Sequence, residues 1–272
     1  MYSCFHSVGL HQLPPTKMVE RVARAGYAAV ELNAETLPFA KPHVTPETSA
    51  QDRVAIVEAC KASAIRIPAL GAKINMVDEN PAARGNAFGF VKGCIDLAAD
   101  MKVPFVHILS GKPASSVDRE DAWRWFADAV RSLTDYGQTK GVELGIEAIV
   151  GQLFRSVGDF QRLYADLPGV PFWINFDPSH FIVQDEDPRR VPDEFGDKIR
   201  HVHLKDGKGH FPDFSFPPLG QGNIDFFDLV QRLRSVGYDG ALSVEYEAQA
   251  FGYDLTEQEI VEGEKAFVDQ LL

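Results

Sequence analysis

Four side chains of metal-ligating type fall at or near the ends of four successive apolar runs. Glu147 closes GVELGIE, Asp177 closes FWINFD, His203 lies in RHVHLKD and Glu245 in ALSVEYE. Three carboxylates and one imidazole suit a divalent cation, because mixed oxygen and nitrogen ligation fits Mn2+, Co2+, Zn2+ or Mg2+. Without a cation, three carboxylates at one point repel one another and one of them protonates. A charge at the tip of an apolar run is costly unless it is paired or bound to a metal. Each residue also has a simpler reading. Glu147 can pair with a cation such as Arg155, and Asp177 can start the turn Asp-Pro-Ser. His203 can be a hydrogen-bonded core histidine. Glu245 shares a strand face with Glu247, so either can be solvated. Their equivalent positions, in sequence order, favour the ligand reading.

The elements that must hold these residues alternate along the chain. Apolar runs predict strands at Cys4–Val8, Ala28–Leu32, Arg66–Leu70, Phe105–Leu109, Leu144–Ala148, Phe172–Phe176, His201–Leu204 and Leu242–Tyr246. Between them, apolar spacing of three and four predicts helices at Thr16–Ala25, Pro46–Ser63, Arg84–Met101, Arg119–Lys140, Ser156–Leu167 and Phe226–Val236, with a last one at Thr256–Leu272. Thr45 before Pro46 reads as a helix cap, as does Ser116 or Asp118 before Arg119. Pro188–Lys198 is the weakest helical unit, and the Pro- and Gly-rich stretch Gly207–Asn223 reads as a long loop.

Strand then helix, about eight times over, predicts the α/β class and a single (β/α)8 TIM barrel spanning residues 1–272. An open doubly wound sheet is the alternative, but HSVGLHQLPP after the first strand supplies no Gly-rich phosphate loop. In a barrel the strand ends converge on one mouth. Strand alternation places His201, His203 and Lys205 on one face.

Composition narrows the possible partners. The 272 residues carry a net charge of −12, which disfavours nucleic acid. Cys4, Cys60 and Cys94 form no CxxC pair and read as buried thiols in a reducing compartment. No apolar run is long enough to span a membrane, and MYSCFHSVGL has no signal-peptide pattern, so a cytoplasmic location is expected.

GIEA, FDPSH, HVHLKD, PLGQGNIDF and SVEYE, in that order over nearly the whole chain, resemble motifs of the xylose isomerase-like barrel superfamily. The likeness is to its sugar phosphate isomerase/epimerase branch, inosose isomerase/dehydratase-type proteins included. This resemblance implies that Glu147, Asp177, His203 and Glu245 bind one divalent ion, Mn2+ before Co2+, Zn2+ or Mg2+. It implies that His180 lies beside the ion and hydrogen-bonds substrate, that His107 occupies a site position, and that the chain can form a homo-oligomer. Two departures matter. The ketohexose epimerases of the branch resemble E-P-x-N-R after the Glu that matches Glu147, followed by a second Glu; here EAIVGQLFRS has neither. Endonuclease IV, a relative, adds histidines and an aspartate for three metals. Here RIPALGAK has no His and PDFSFPPLG lacks an Asp-x-His pair, so the site reads as mononuclear.

The chemistry expected is a metal-dependent isomerase or epimerase of a small sugar or polyol ketone, working through an enediolate. Glu147 and Glu245 exchange protons, and His180 and Lys205 donate to substrate oxygens. Lys205 can instead pair with Asp206 or Glu245. His6, Glu31, Lys73, His107, Phe5, Trp173 and the loop from Gly207 to Pro218 are further candidate contacts. A dehydratase acting on a keto-polyol such as inosose or dehydroshikimate shares the same intermediate. An endonuclease IV-like phosphodiesterase and a non-catalytic sugar-binding barrel are remoter readings.

Overall fold

In a computed structural model describing residues 1–272, eight parallel strands close into a barrel. They are β1 (Tyr2–His6), β2 (Ala29–Asn33), β3 (Leu70–Gly71), β4 (Phe105–Ile108), β5 (Glu143–Glu147), β6 (Trp173–Phe176), β7 (Ile199–Leu204) and β8 (Ala241–Val244). Each pairs with its neighbours in sequence and β8 returns to β1, so the barrel has no open edge and the doubly wound alternative is excluded. The outer helices are α1 (Pro15–Arg24), α2 (Ala50–Ala62), α3 (Pro81–Met101), α4 (Arg119–Lys140), α5 (Val157–Asp166), α6 (Pro178–Ile182), α7 (Arg190–Phe195), α8 (Phe226–Ser235) and α9 (Glu264–Leu271).

Helix α4 shows how the sequence writes these elements. Asp118 accepts from the backbone N–H groups of Glu120 and Asp121, which caps the first turn. Trp123, Phe126, Val130, Leu133 and Gly137 are buried at spacings of three and four, and Gly141 ends the helix at φ +71°. Several boundaries needed correction. The first strand is Tyr2–His6 rather than Cys4–Val8, because Ser7–Leu10 turns into a 3-10 helix, and the last helix is regular only from Glu264, after a π segment at Glu259–Gly263. The second helix does not start at Pro46: Thr45 and Thr48 bond to each other in a turn, and Ser49 caps the helix through Asp52 N–H. β3 is shorter than Arg66–Leu70, with only an isolated bridge between Ala29 and Arg66 below it. Pro68 has no N–H to donate there. The long loop after β7 also contains a small hairpin, Lys208–His210 against Asp213–Ser215.

The strand register builds the lumen in tiers. Cys4, Ser243 and His203 sit level on adjoining strands, as do Gly71, His107 and Gly145. A Cβ on Gly145 would fall 2.1 Å from Phe105 Cζ, so the missing side chain lets the Phe105 ring cross the floor of the barrel. Above that floor lie two layers of polar groups, and the upper one is the mouth.

A carboxylate, imidazole and ammonium cluster at the barrel mouth

The structure brings all four expected ligand residues together. Glu147 ends β5, Asp177 follows β6, His203 lies in β7 and Glu245 follows β8. One ligand-type atom of each lies within 4.8 Å of the others, and all four residues are buried. Asp177 fills both roles the sequence allowed it. Its Oδ1 accepts from Ser179 N (2.8 Å) and Ser179 Oγ (2.7 Å), starting α6, while Oδ2 faces the cluster. Because α6 begins there, His180 comes back over the site, with Nε2 3.5 Å from Asp177 Oδ2 and 3.6 Å from Glu147 Oε1.

Two buried ammonium groups sit among these carboxylates. Lys205 Nζ lies 2.6 Å from Glu245 Oε2, 2.9 Å from Asp177 Oδ2 and 3.1 Å from Glu247 Oε2. It does not pair with Asp206, whose oxygens accept the backbone N–H groups of Gly207, Gly220, Gly222 and Ile224. Lys73 Nζ bridges Glu245 Oε1 (2.8 Å) and Glu147 Oε2 (3.1 Å). Lys73, not Arg155, is therefore the cation beside Glu147. Burial alone would raise the carboxyl pKa of both glutamates. Lys73 and His203 hold Glu147 well below the usual range, and Lys205, Lys73 and His203 do the same for Glu245. Burial would lower both lysines, yet the surrounding carboxylates hold them well above their ordinary values.

A divalent cation fits the donor set. It offers three carboxylates and one imidazole, and two of the converging atoms, Asp177 Oδ2 and His203 Nδ1, are buried without a well-formed hydrogen bond. Such groups are rare in native interiors and a cation would satisfy both. Lys205 touches two of the same carboxylates and has Glu247 as a further partner.

One tier lower, Glu31 of β2 is the centre of a second network. Its Oε1 accepts from His107 Nε2 (2.6 Å) and His203 Nε2 (3.0 Å), and its Oε2 from His201 Nε2 (2.8 Å) and Ser243 Oγ (2.6 Å). The face shared by His201 and His203 is thus the lumen. Burial would raise the Glu31 carboxyl, but His203, His201 and His6 outweigh it and hold it well below the usual range. His107, expected against substrate, lies in this tier, with Nδ1 3.3 Å from Asn175 Nδ2. His6 lies between the tiers. Its Nδ1 accepts Val8 N–H, and its Nε2 is 3.6 Å from Glu31 and 3.8 Å from Glu245, with burial pushing its pKa down to about 3.

Other candidate contacts are placed differently. Phe5 is a core residue packed edge-on against Tyr27. Trp173 lines a groove with Glu143, Pro171 and Arg200 around the N-terminal ends of β5, β6 and β7, away from the mouth. In the loop after β7, Phe216 covers the site, with its ring 4.8 Å from Lys205 Nζ and 5.2 Å from the His180 ring. Phe214 and the exposed Phe211 continue that aromatic row outward. Beside Lys73 a cleft opens, lined by Glu35, Asn75, Leu109, Lys112 and Gln152.

Asn175 is the residue sequence reasoning passed over. Its Nδ2 donates to Glu147 Oε2 at 2.9 Å, and its Oδ1 is buried without a partner. The signal was present: Asn175 is two residues before Asp177 and so shares its strand face.

Comparison with known proteins bears on the fold and the family. Inosose dehydratase of Lacticaseibacillus casei is 24% identical over 196 residues, covering 66% of this chain and 59% of that protein. Fructoselysine 3-epimerase of Shigella flexneri is 24% identical over 178 residues, covering 64% of each chain. The matches to these two curated relatives therefore span less than two thirds of their length. Among solved structures, the IOLI protein with a bound zinc atom superposes with a TM-score of 0.81 at 20% identity, over 100% of this chain and 98% of that one. At that identity the likeness concerns the fold. A sequence profile described as xylose isomerase-like TIM barrel matches residues 19–270, and with the closed barrel above it establishes that the chain belongs to the xylose isomerase-like TIM barrel family.

Proposed function

We propose that this chain is a metal-dependent isomerase or epimerase of a small sugar or polyol ketone. The observation that carries this reading is the cluster of Glu147, Asp177, His203 and Glu245, buried at the barrel mouth with donor atoms within 4.8 Å of one another. Those four residues would hold the cation, Mn2+ before Co2+, Zn2+ or Mg2+, and the bound ion supplies Lewis-acid polarisation of the ketone. Substrate enters by the cleft beside Lys73. Glu147 removes the proton from the carbon next to the carbonyl, and the electron pair of that C–H bond forms the enediolate. Glu147 releases that proton to solvent, and Glu245, loaded with one proton from solvent, delivers it either to the neighbouring carbon, with the hydroxyl proton passing to the former carbonyl oxygen (isomerisation), or to the opposite face of the same carbon (epimerisation). A carboxylate that also holds an ion is a weak base, so positioning carries much of the rate. Lys73 bridges the two glutamates and fixes their relative position. His180 and Lys205 hydrogen-bond the substrate oxygens, while His6 and His107 act from beneath.

The second reading is a dehydratase, favoured by the inosose dehydratase among the relatives. The electron pair of the same enediolate would then expel the β-hydroxyl, which leaves as water with the proton that Glu147 had taken. A panel of inososes, ketoses and keto acids in deuterated water separates the two. Solvent deuterium in a recovered isomer supports isomerisation, an absorbing enone product supports dehydration, and neither product from any metal-loaded sample refutes both.

A further inference from the structure

The Glu31 carboxylate lies one tier below the proposed cation site, yet it reaches that site through His203. All four of its hydrogen-bond positions are taken, by His107, His203, His201 and Ser243. A carboxylate that accepts four donors is at full capacity and acts as a fixed anchor. Three of the donors are Nε2 atoms, so one side chain sets which ring nitrogen carries the proton in three histidines. For His203 the consequence is directional. Its Nε2–H is committed to Glu31, and its Nδ1 points up, 3.2 Å from Glu245 Oε2 and 3.7 Å from Glu147 Oε1, with no hydrogen-bond partner. Both residues are fully buried, so no water competes for either nitrogen.

We infer that Glu31 is a positioning residue for the proposed metal centre: it holds the His203 proton on Nε2 and so presents Nδ1 as the cation-binding atom. This inference rests on the proposed cation site. Carboxylate partners of this kind orient a ligating imidazole and raise its basicity, and their loss typically lowers metal affinity about 10–100-fold. Gln in place of Glu31 keeps the shape but has one acceptor oxygen and a donor amide, so it cannot receive four donors. At least one imidazole must then turn or change tautomer.

The test is made on the full chain with Zn2+, which is diamagnetic. Long-range proton–nitrogen correlation spectra of the zinc-loaded wild type, with His203 assigned through His203→Gln, are expected to show its proton on Nε2 and the ion on Nδ1. Zinc affinity measured by chelator competition is expected to fall about 10–100-fold in Glu31→Gln, while Ser243→Ala, which removes a donor from the other carboxylate oxygen, changes it far less. Zinc on Nε2 of His203, or unchanged affinity in folded Glu31→Gln, overturns the inference and leaves the metal site standing. Wild-type protein that takes up no zinc, or takes it up with no change at His203, overturns the metal site and the inference together. If Glu31→Gln does not fold, the wild-type spectrum alone decides.

Discussion

Two layers of buried carboxylate share the lumen of this barrel, and they are satisfied in different ways. Below, Glu31 is matched by three imidazoles and one hydroxyl, with no acceptor position left over. Above, Glu147, Asp177 and Glu245 are matched by two buried lysines, Asp177 Oδ2 has only its ion pair with Lys205, and polar atoms of His203, His180 and Asn175 remain without hydrogen bonds. A closed network of short-armed donors specifies one arrangement. An open network with ammonium partners and spare acceptors can admit a ligand. Glu264, outside the lumen, is a third case. It is buried with only Leu219 N–H as a donor, and burial pushes its pKa up to about 8. The number and kind of donors, more than depth, decides what a buried carboxyl does here.

The largest effect expected from this contrast is on chemistry. Glu147→Gln or Glu245→Gln should slow exchange of substrate hydrogen with solvent by roughly 10²–10⁴-fold, measured by deuterium incorporation. Exchange at the wild-type rate would remove both from the proton-transfer roles. The next effect is on stability and should reverse the order of the tiers. Glu31→Ala strands three N–H donors and one hydroxyl, each costing about 1–3 kcal/mol when buried unpaired. Denaturant unfolding should therefore show a loss of several kcal/mol, well above that of Glu147→Gln. Equal losses would mean that the tiers do not differ as described.

A smaller effect is expected at the floor. Gly145→Ala forces a methyl against the Phe105 ring, an overpacking that costs about 1–3 kcal/mol, read as a shifted denaturant midpoint. The smallest is a pH slope at Glu264. Its carboxyl stays neutral in the fold up to about 8, whereas the unfolded chain ionises near 4.5. Between those values the unfolded state binds fewer protons, so stability falls as pH rises, by at most about 1.4 kcal/mol per unit. Stability profiles of wild type and Glu264→Gln should diverge over that window, with the variant flatter.

The barrel was legible because its signal repeats. Strand runs at Phe105, Leu144 and Leu242, separated by stripes such as that of α4, point to one architecture, and the errors lie at the boundaries of elements. Pro68 shortened β3 and the Thr45–Thr48 turn delayed α2, both through local backbone chemistry that a periodicity argument does not weigh. The four ligand-type residues were legible because they end equivalent strands. Strand alternation tells which residues share a face but not which face points inward, so Glu31 and Lys73 could be named as contacts without their partners. Lys73 meets Glu245 across 172 residues of chain and Glu31 meets His203 across a similar span, and only the closed barrel fixes those pairings.

Asp206 gives the mouth a modular roof. Its carboxylate ties Gly207 at one end of the loop to Gly220, Gly222 and Ile224 at the other, and Asn223 N–H closes back on Gly207 O. The segment between, with the hairpin and the Phe211–Phe214–Phe216 row, hangs from that clasp beside Lys205. Because the clasp closes the loop on itself, a change in the length of the segment between Gly207 and Gly220 leaves the backbone that carries Glu147, Asp177, His203 and Glu245 untouched, so the cover of the mouth and its floor can vary independently.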